Sequence, residues 1–156
     1  MPNQPGRVSD LLTPERVVLP LEARDKPGAI AELSRALVAT CGGDYDDVLR
    51  AVMERERSLS TGVGGGVAIP HGRAATVPGL CLVSGVSAEP VPYEALDGQP
   101  VRLFFLVVGP ETAAGEHVKL LARIAHLIRH DALRERLTLC HTPEEFHRTL
   151  QAAEAA

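Results

Sequence analysis

The run Val101-Arg102-Leu103-Phe104-Phe105-Leu106-Val107-Val108 constrains the fold more than any other stretch of the chain. Only Arg102 breaks its apolar character, and β-branched and aromatic residues dominate it. It is too short to cross a membrane and is closed by Gly109-Pro110. Such a run predicts a buried central strand. Around it, helical patterns alternate with shorter apolar segments. Asp25-Lys26-Pro27-Gly28 reads as a helix entry, followed by Ile30, Leu33, Leu37 and Val38 at helical spacing and stopped by Gly42-Gly43. Asp44 is placed to cap a second helix with the stripe Tyr45, Val48, Leu49, Val52 and Met53. A third helix is predicted over about Gly115 to His130, with His117, Leu121, Ile124 and Ile128 on one stripe. Thr142-Pro143-Glu144-Glu145 reads as a capping box opening a last helix. Val17–Leu21, Val67–Ile69 and Leu80–Val86 read as strands. Strands and helices interleave, which predicts an α/β layer architecture.

Composition bounds the function. The length of 156 residues fits one domain. We expect residues 1–8 to be a flexible tail and residues 9–156 a single domain. Lys and Arg number 16 against 20 Asp and Glu, a net charge of −4, which argues against a nucleic-acid binder needing a basic face. No signal peptide and no run of about 18 apolar residues is present, so the expectation is a cytoplasmic protein without direct membrane insertion. Cys41, Cys81 and Cys140 form no CxxC pair and are too few and scattered for a disulfide framework; Cys81 reads as a small buried residue of a strand.

The chemistry concentrates in Ser60-Thr61-Gly62-Val63-Gly64-Gly65-Gly66-Val67-Ala68-Ile69-Pro70-His71-Gly72. The glycines at 62, 64, 65 and 66 allow positive φ and an array of free amides, a nest suited to an oxyanion. The Ser60–Gly66 part is not expected to form a regular element. His71 follows between Pro70, which fixes its approach, and Gly72, which removes bulk beside the ring. An imidazole beside an anion nest suits nucleophilic phosphate chemistry better than metal binding. Arg55, at the end of the preceding helix, is placed to offer a fork of donors to a phosphoryl group, a role open to Arg57 as well. His117, in the first turn of its helix, reads either as a donor to a phosphoryl oxygen or to the nucleophile, or as a core histidine. This is neither a Walker motif, since no Gly-Lys-Ser/Thr follows, nor a dinucleotide fingerprint, since the glycines precede a strand. His126 and His130 stand four apart on a helix, but nothing at recognisable spacing completes a zinc site.

Arg55-Glu56, the string from Ser60 to Gly72, the segment Pro90–Val101 and Glu116-His117-Val118-Lys119-Leu120-Leu121 closely resemble the signatures of mannitol/fructose-type enzyme IIA domains. These belong to the bacterial phosphoenolpyruvate-dependent phosphotransferase system. The resemblance runs from about Ser9 to Leu150. It implies a three-layer α/β fold, a mixed central sheet with helices on both faces. It implies that His71 accepts a phosphoryl group on Nε2 from the phosphocarrier HPr or a nitrogen-branch counterpart. Arg55 and His117 would assist as catalytic groups. Thr61 with Gly62, Gly64, Gly65, Gly66 and Gly72 would hold the phosphoryl oxygens. Neither a metal nor another cofactor is implied. The loop and the length resemble the nitrogen-regulatory branch, which acts on regulated target proteins. A fructose- or mannitol-type component passing phosphate to an enzyme IIB is the rival, and a non-catalytic docking module or a small-anion or nucleotide sensor stands outside both. The sequence does not give an oligomeric state.

Overall fold

The computed structural model describes residues 6–156. Of the expected tail, residues 1–5 lie outside the described residues. Val8 opens a short helix, α1 (Val8–Leu11), and is fully buried. The order that follows is β1 (Val17–Leu21), α2 (Lys26–Cys41), α3 (Tyr45–Ser58), β2 (Gly62–Gly64), β3 (Val67–Ala68), β4 (His71–Arg73), β5 (Cys81–Val91), β6 (Val101–Gly109), α4 (Ala114–Leu127), α5 (Asp131–Thr138) and α6 (Pro143–Ala155).

The strands form one six-stranded mixed sheet in the order β1-β5-β6-β3-β2, with β4 also paired to β6. β6 is the hub. It runs antiparallel to β5 and parallel to both β3 and β4. Its continuous apolar character has a direct cause in alternation across the pleat. Phe104, Leu106 and Val108 join one core with Leu33 and Leu37 of α2 and Val48 and Val52 of α3. Leu103, Phe105 and Val107 join a second core with Leu120 and Ile124 of α4, Leu137 of α5 and Phe146 of α6. A strand clamped between two helical layers has no polar face to show. The architecture is thus the three-layer α/β fold read from the sequence. Each fully buried Phe or Leu on this strand is worth roughly 1.5–3 kcal/mol.

Helix starts follow the expected chemistry. The Asp25 carboxylate accepts from the Gly28 amide at 2.8 Å, and the Asp44 carboxylate accepts from the Asp47 amide at 3.1 Å. Thr142 accepts from the Glu145 amide at 3.1 Å. The Glu145 carboxylate reaches one residue further back than a capping box requires, accepting from the His141 amide at 2.7 Å.

Three expectations are corrected. The Gly-rich string is not irregular: Gly62–Gly64 pairs antiparallel with Val67–Ala68 as a tight hairpin. β5 runs on to Val91, five residues past the Val86 end expected for this strand. Cys41 and Cys81 are joined in a disulfide with a Cα–Cα distance of 6.3 Å, linking the last residue of α2 to the first of β5. Only Cys140 remains a free thiol, and it is buried.

Candidate functional site

β4 is three residues long, yet it carries the site. Its register on β6 sets His71 opposite Val107 and Gly72 opposite Val108. Against this strand lies α3. A methyl group at Gly72 would stand 3.0 Å from both the Ala51 carbonyl carbon and the Val52 nitrogen. Gly72 therefore serves the approach of helix backbone to strand backbone, rather than clearing space beside the imidazole as the sequence reading had it.

The His71 ring is held by one hydrogen bond. Nδ1 stands 2.9 Å from the Ile69 carbonyl oxygen, which only accepts, so Nδ1 carries the proton. Nε2 is then the unprotonated nitrogen of the neutral ring. Burial lowers the His71 pKa, the Ile69 carbonyl raises it, Arg55 lowers it, Glu56 raises it and Arg73 lowers it; the net is below the ordinary histidine value. The ring is accordingly neutral near pH 7.

His117 lies in the first turn of α4 and is 97% covered, with 3% of its surface exposed. Its ring meets that of His71 edge-on, with centroids 5.8 Å apart and planes at 68°. Burial, followed by the neighbouring His71 and Arg73, pushes its pKa down to about 4 against a weaker upward pull from Glu111. Its Nδ1 is buried without a hydrogen-bond partner among the described residues. A neutral imidazole with an unused ring nitrogen is placed beside the nucleophile.

A cavity of about 590 Å³ opens here, lined by His71, Gly72, His117 and three arginines, Arg50, Arg55 and Arg73. Two of these arginines are partnered by acids. Arg50 pairs with Asp47 at 2.7 Å, and Arg73 with Glu111 at 3.1 Å. Arg55 instead donates from Nη1 to the Leu59 carbonyl at 2.8 Å. Among the described residues no carboxylate lies within ion-pair distance of it, so its charge is the least compensated on this wall. Arg57 is exposed and lines a separate cavity with Lys26 and Glu56. The structure thus brings Arg55, His71, Gly72 and His117 together.

It does not bring the loop residues there. Thr61 is buried, and its hydroxyl donates to the Glu56 carboxylate. Gly62 is pressed against Ala95, with space for no side chain. Gly64, Gly65 and Gly66 take positive φ of 96°, 65° and 79° to turn the hairpin. The Gly65 amide is used by Asp97 at 3.0 Å. The Gly66 carbonyl accepts from the Arg102 and Leu103 amides at 3.0 and 3.1 Å. None of these five residues lines the cavity of His71. The glycines have the backbone freedom expected of them, but they spend it on turning the chain.

Arg50, Ala51 and Arg73 line the cavity as well. Arg50 and Ala51 lie one turn before Glu54 and Arg55, so all four share a face of α3. Arg73 is two residues from His71 on a strand and so shares its side. Helical and strand periodicity taken from Arg55 and His71 would have found both. His126 and His130 meet edge-on at 5.9 Å, and no group of three or more His, Cys, Asp or Glu that could hold a metal stands among the described residues.

Fold and cavity together define a three-layer α/β protein with paired neutral imidazoles under an arginine rim. Residues 10–153 match the family described as phosphoenolpyruvate-dependent sugar phosphotransferase system, EIIA 2, and the chain belongs to that family. It is similar to a nitrogen regulatory protein of Bradyrhizobium diazoefficiens, 38% identical over 133 residues, covering 83% of this chain and 85% of that one. It is 34% identical over 132 residues to the fructose-specific EIIABC component of Bacillus subtilis, covering 84% of this chain and 21% of that one. The crystal structure of nitrogen regulatory protein IIA-Ntr from Neisseria meningitidis superposes with a TM-score of 0.85 at 34% identity, covering 92% of this chain and 98% of that one.

Proposed function

We propose that this chain is a phosphocarrier that accepts a phosphoryl group on Nε2 of His71 from an HPr-type phosphohistidine donor. One observation carries the reading. The Ile69 carbonyl claims the Nδ1 proton, so the ring nitrogen left with a lone pair is Nε2, beside a second neutral imidazole and an arginine rim. In the transfer, Nε2 forms the new P–N bond while the donor's P–N bond breaks and its electron pair stays with the donor nitrogen. Nδ1 keeps its proton throughout. Arg55 offers charge to the phosphoryl oxygens, and His117 offers a ring N–H without adding a positive charge of its own. Burial of His117 limits water near the phosphoramidate, while His71, only partly covered, stays reachable by a partner protein.

The relatives named for nitrogen regulation favour a regulatory phosphocarrier acting on target proteins. The fructose-specific relative favours a second reading, transfer onward to an enzyme IIB. Either role places the protein in the cytoplasm, and no helix among the described residues is long and apolar enough to cross a membrane.

Incubation with phosphoenolpyruvate, enzyme I and an HPr-type carrier tests the proposal. The expected product carries one acid-labile, base-stable phosphoryl group, absent from His71→Ala. A protein that gains none, or gains it equally without His71, overturns the reading.

A further inference from the structure

Glu56 is the one charged carboxylate buried among the described residues, with 5% of its surface exposed. It sits next to Arg55 in a run, Glu54-Arg55-Glu56-Arg57, that otherwise faces solvent or the cavities. Burying a carboxylate is costly unless donors surround it. Here they do. One oxygen accepts from the Thr61 hydroxyl and, at 3.0 Å, from the Tyr93 hydroxyl. The other accepts from the Thr61 amide and from Lys26 Nζ, each at 3.0 Å. Burial raises the Glu56 pKa, but the two Thr61 bonds and Lys26 outweigh it, so the carboxylate stays ionised at neutral pH.

We propose that Glu56 is a positioning residue for phosphoryl acceptance: by gripping Thr61 it fixes both the Arg55 guanidinium and the hydrogen-bonding state of His71. Two arms leave Thr61. Toward α3, the grip closes the turn from Glu56 to Thr61, and within that turn the Leu59 carbonyl holds Arg55 at 2.8 Å. Toward β4, the Thr61 carbonyl accepts from the Ile69 amide at 3.0 Å, and the Ile69 carbonyl in turn accepts from Nδ1–H of His71 at 2.9 Å. The carboxylate touches neither His71 nor a phosphoryl group; it acts through these carbonyls. A glutamine amide would turn its NH₂ toward the Thr61 and Tyr93 hydroxyls, which would have to reverse from donating to accepting, and would leave Lys26 without its buried anionic partner.

The inference rests on the phosphoryl-acceptor reading of His71, and its test separates the two. Wild type, Glu56→Gln and Thr61→Val are compared for the rate of phosphoryl acceptance from an HPr-type donor. The His71 ring tautomer is read by ¹⁵N NMR without any donor, and folding by circular dichroism. A wild type that accepts nothing defeats the functional reading, while the tautomer still tests the positioning. For folded Glu56→Gln we expect acceptance slower by roughly 10- to 100-fold, as for a misplaced catalytic geometry. The donor KM should be little changed, and His71 should become a mixture of Nδ1–H and Nε2–H forms. A folded Glu56→Gln with wild-type rate and a pure Nδ1–H ring overturns the proposal. If Glu56→Gln does not fold, the same readouts on Thr61→Val decide. If neither variant folds, Glu56 is an element of the fold alone and the proposal is overturned.

Discussion

The rings of His71 and His117 meet edge to face, 5.8 Å between centroids and 68° between planes. The first lies on a strand of the central sheet and the second on a helix that covers it, so the contact exists only in the folded chain. A protonated His117 would set a cation against the nucleophile and the arginines. Its burial keeps it neutral instead.

Replacing His117 by Ala should slow phosphoryl acceptance by roughly 10²-fold or more, the range typical of a lost proton-transfer or hydrogen-bonding partner. The fold should persist, since the ring already leaves one nitrogen unpaired. Stopped-flow or quench measurement of acceptance, alongside far-UV circular dichroism, checks this. A variant unfolded at room temperature would make His117 a core histidine.

Acid should weaken the fold through the same group. The His117 pKa is lowered from 6.5 to about 4 on folding, so the unfolded chain binds the proton more tightly. Stability then rises with pH across this window, is fully present above about 6.5, and is lost as pH falls toward 4. The contribution lost between pH 7 and pH 5 is on the order of 2 kcal/mol. Urea unfolding at pH 7 and pH 5 should show the loss in wild type and a smaller one in His117→Asn. An equal loss in both would assign it elsewhere.

Arg55→Ala should reduce acceptance by roughly 10- to 100-fold, because it removes the uncompensated guanidinium of the cavity wall. Arg57→Ala should stay within about threefold of wild type, since Arg57 lines a different cavity. Equal losses would undo the distinction between the two positions.

Gly72→Ala should destabilise the protein by about 1–3 kcal/mol, the usual cost of overpacking. Its methyl group would meet helix backbone, which cannot swing aside as a side chain does. A lowered thermal midpoint is the check; an unchanged one would show that α3 retreats freely from β4.

Asp97→Ala should loosen the hairpin tip by removing the partner of the Gly65 amide, yet leave phosphoryl acceptance within about twofold of wild type. A strong loss of acceptance would return the glycines to the phosphoryl group.

The parts of the molecule legible in the sequence are those whose cause is local. The run at 101–108 announced β6 because a strand covered on both faces admits few polar residues. Asp25, Asp44 and Thr142 announced helix starts because their partners lie three residues on. His71 and His117 were visible as chemistry before their separation was known. The fate of Gly64, Gly65 and Gly66 was not, since it depends on Asp97, Arg102 and Leu103, far along the chain; a local reading saw freedom without its use. The Cys41–Cys81 pair was hidden for the same reason, its members being 40 positions apart in the chain. Glu56 was missed because charge runs usually face water. Yet it lies four residues past Val52, itself four past Val48, on the buried stripe of α3.

The disulfide encloses a particular stretch. Between Cys41 and Cys81 run α3 with Arg50, Arg55 and Glu56, then Thr61, and then β4 with His71 and Arg73. His71 and the three arginines of its cavity are therefore threaded on one covalent ring, stapled shut at the sheet, with His117 outside it. A protease that nicks the ring once severs the backbone but releases no fragment, and the two pieces part only on a gel run with reductant.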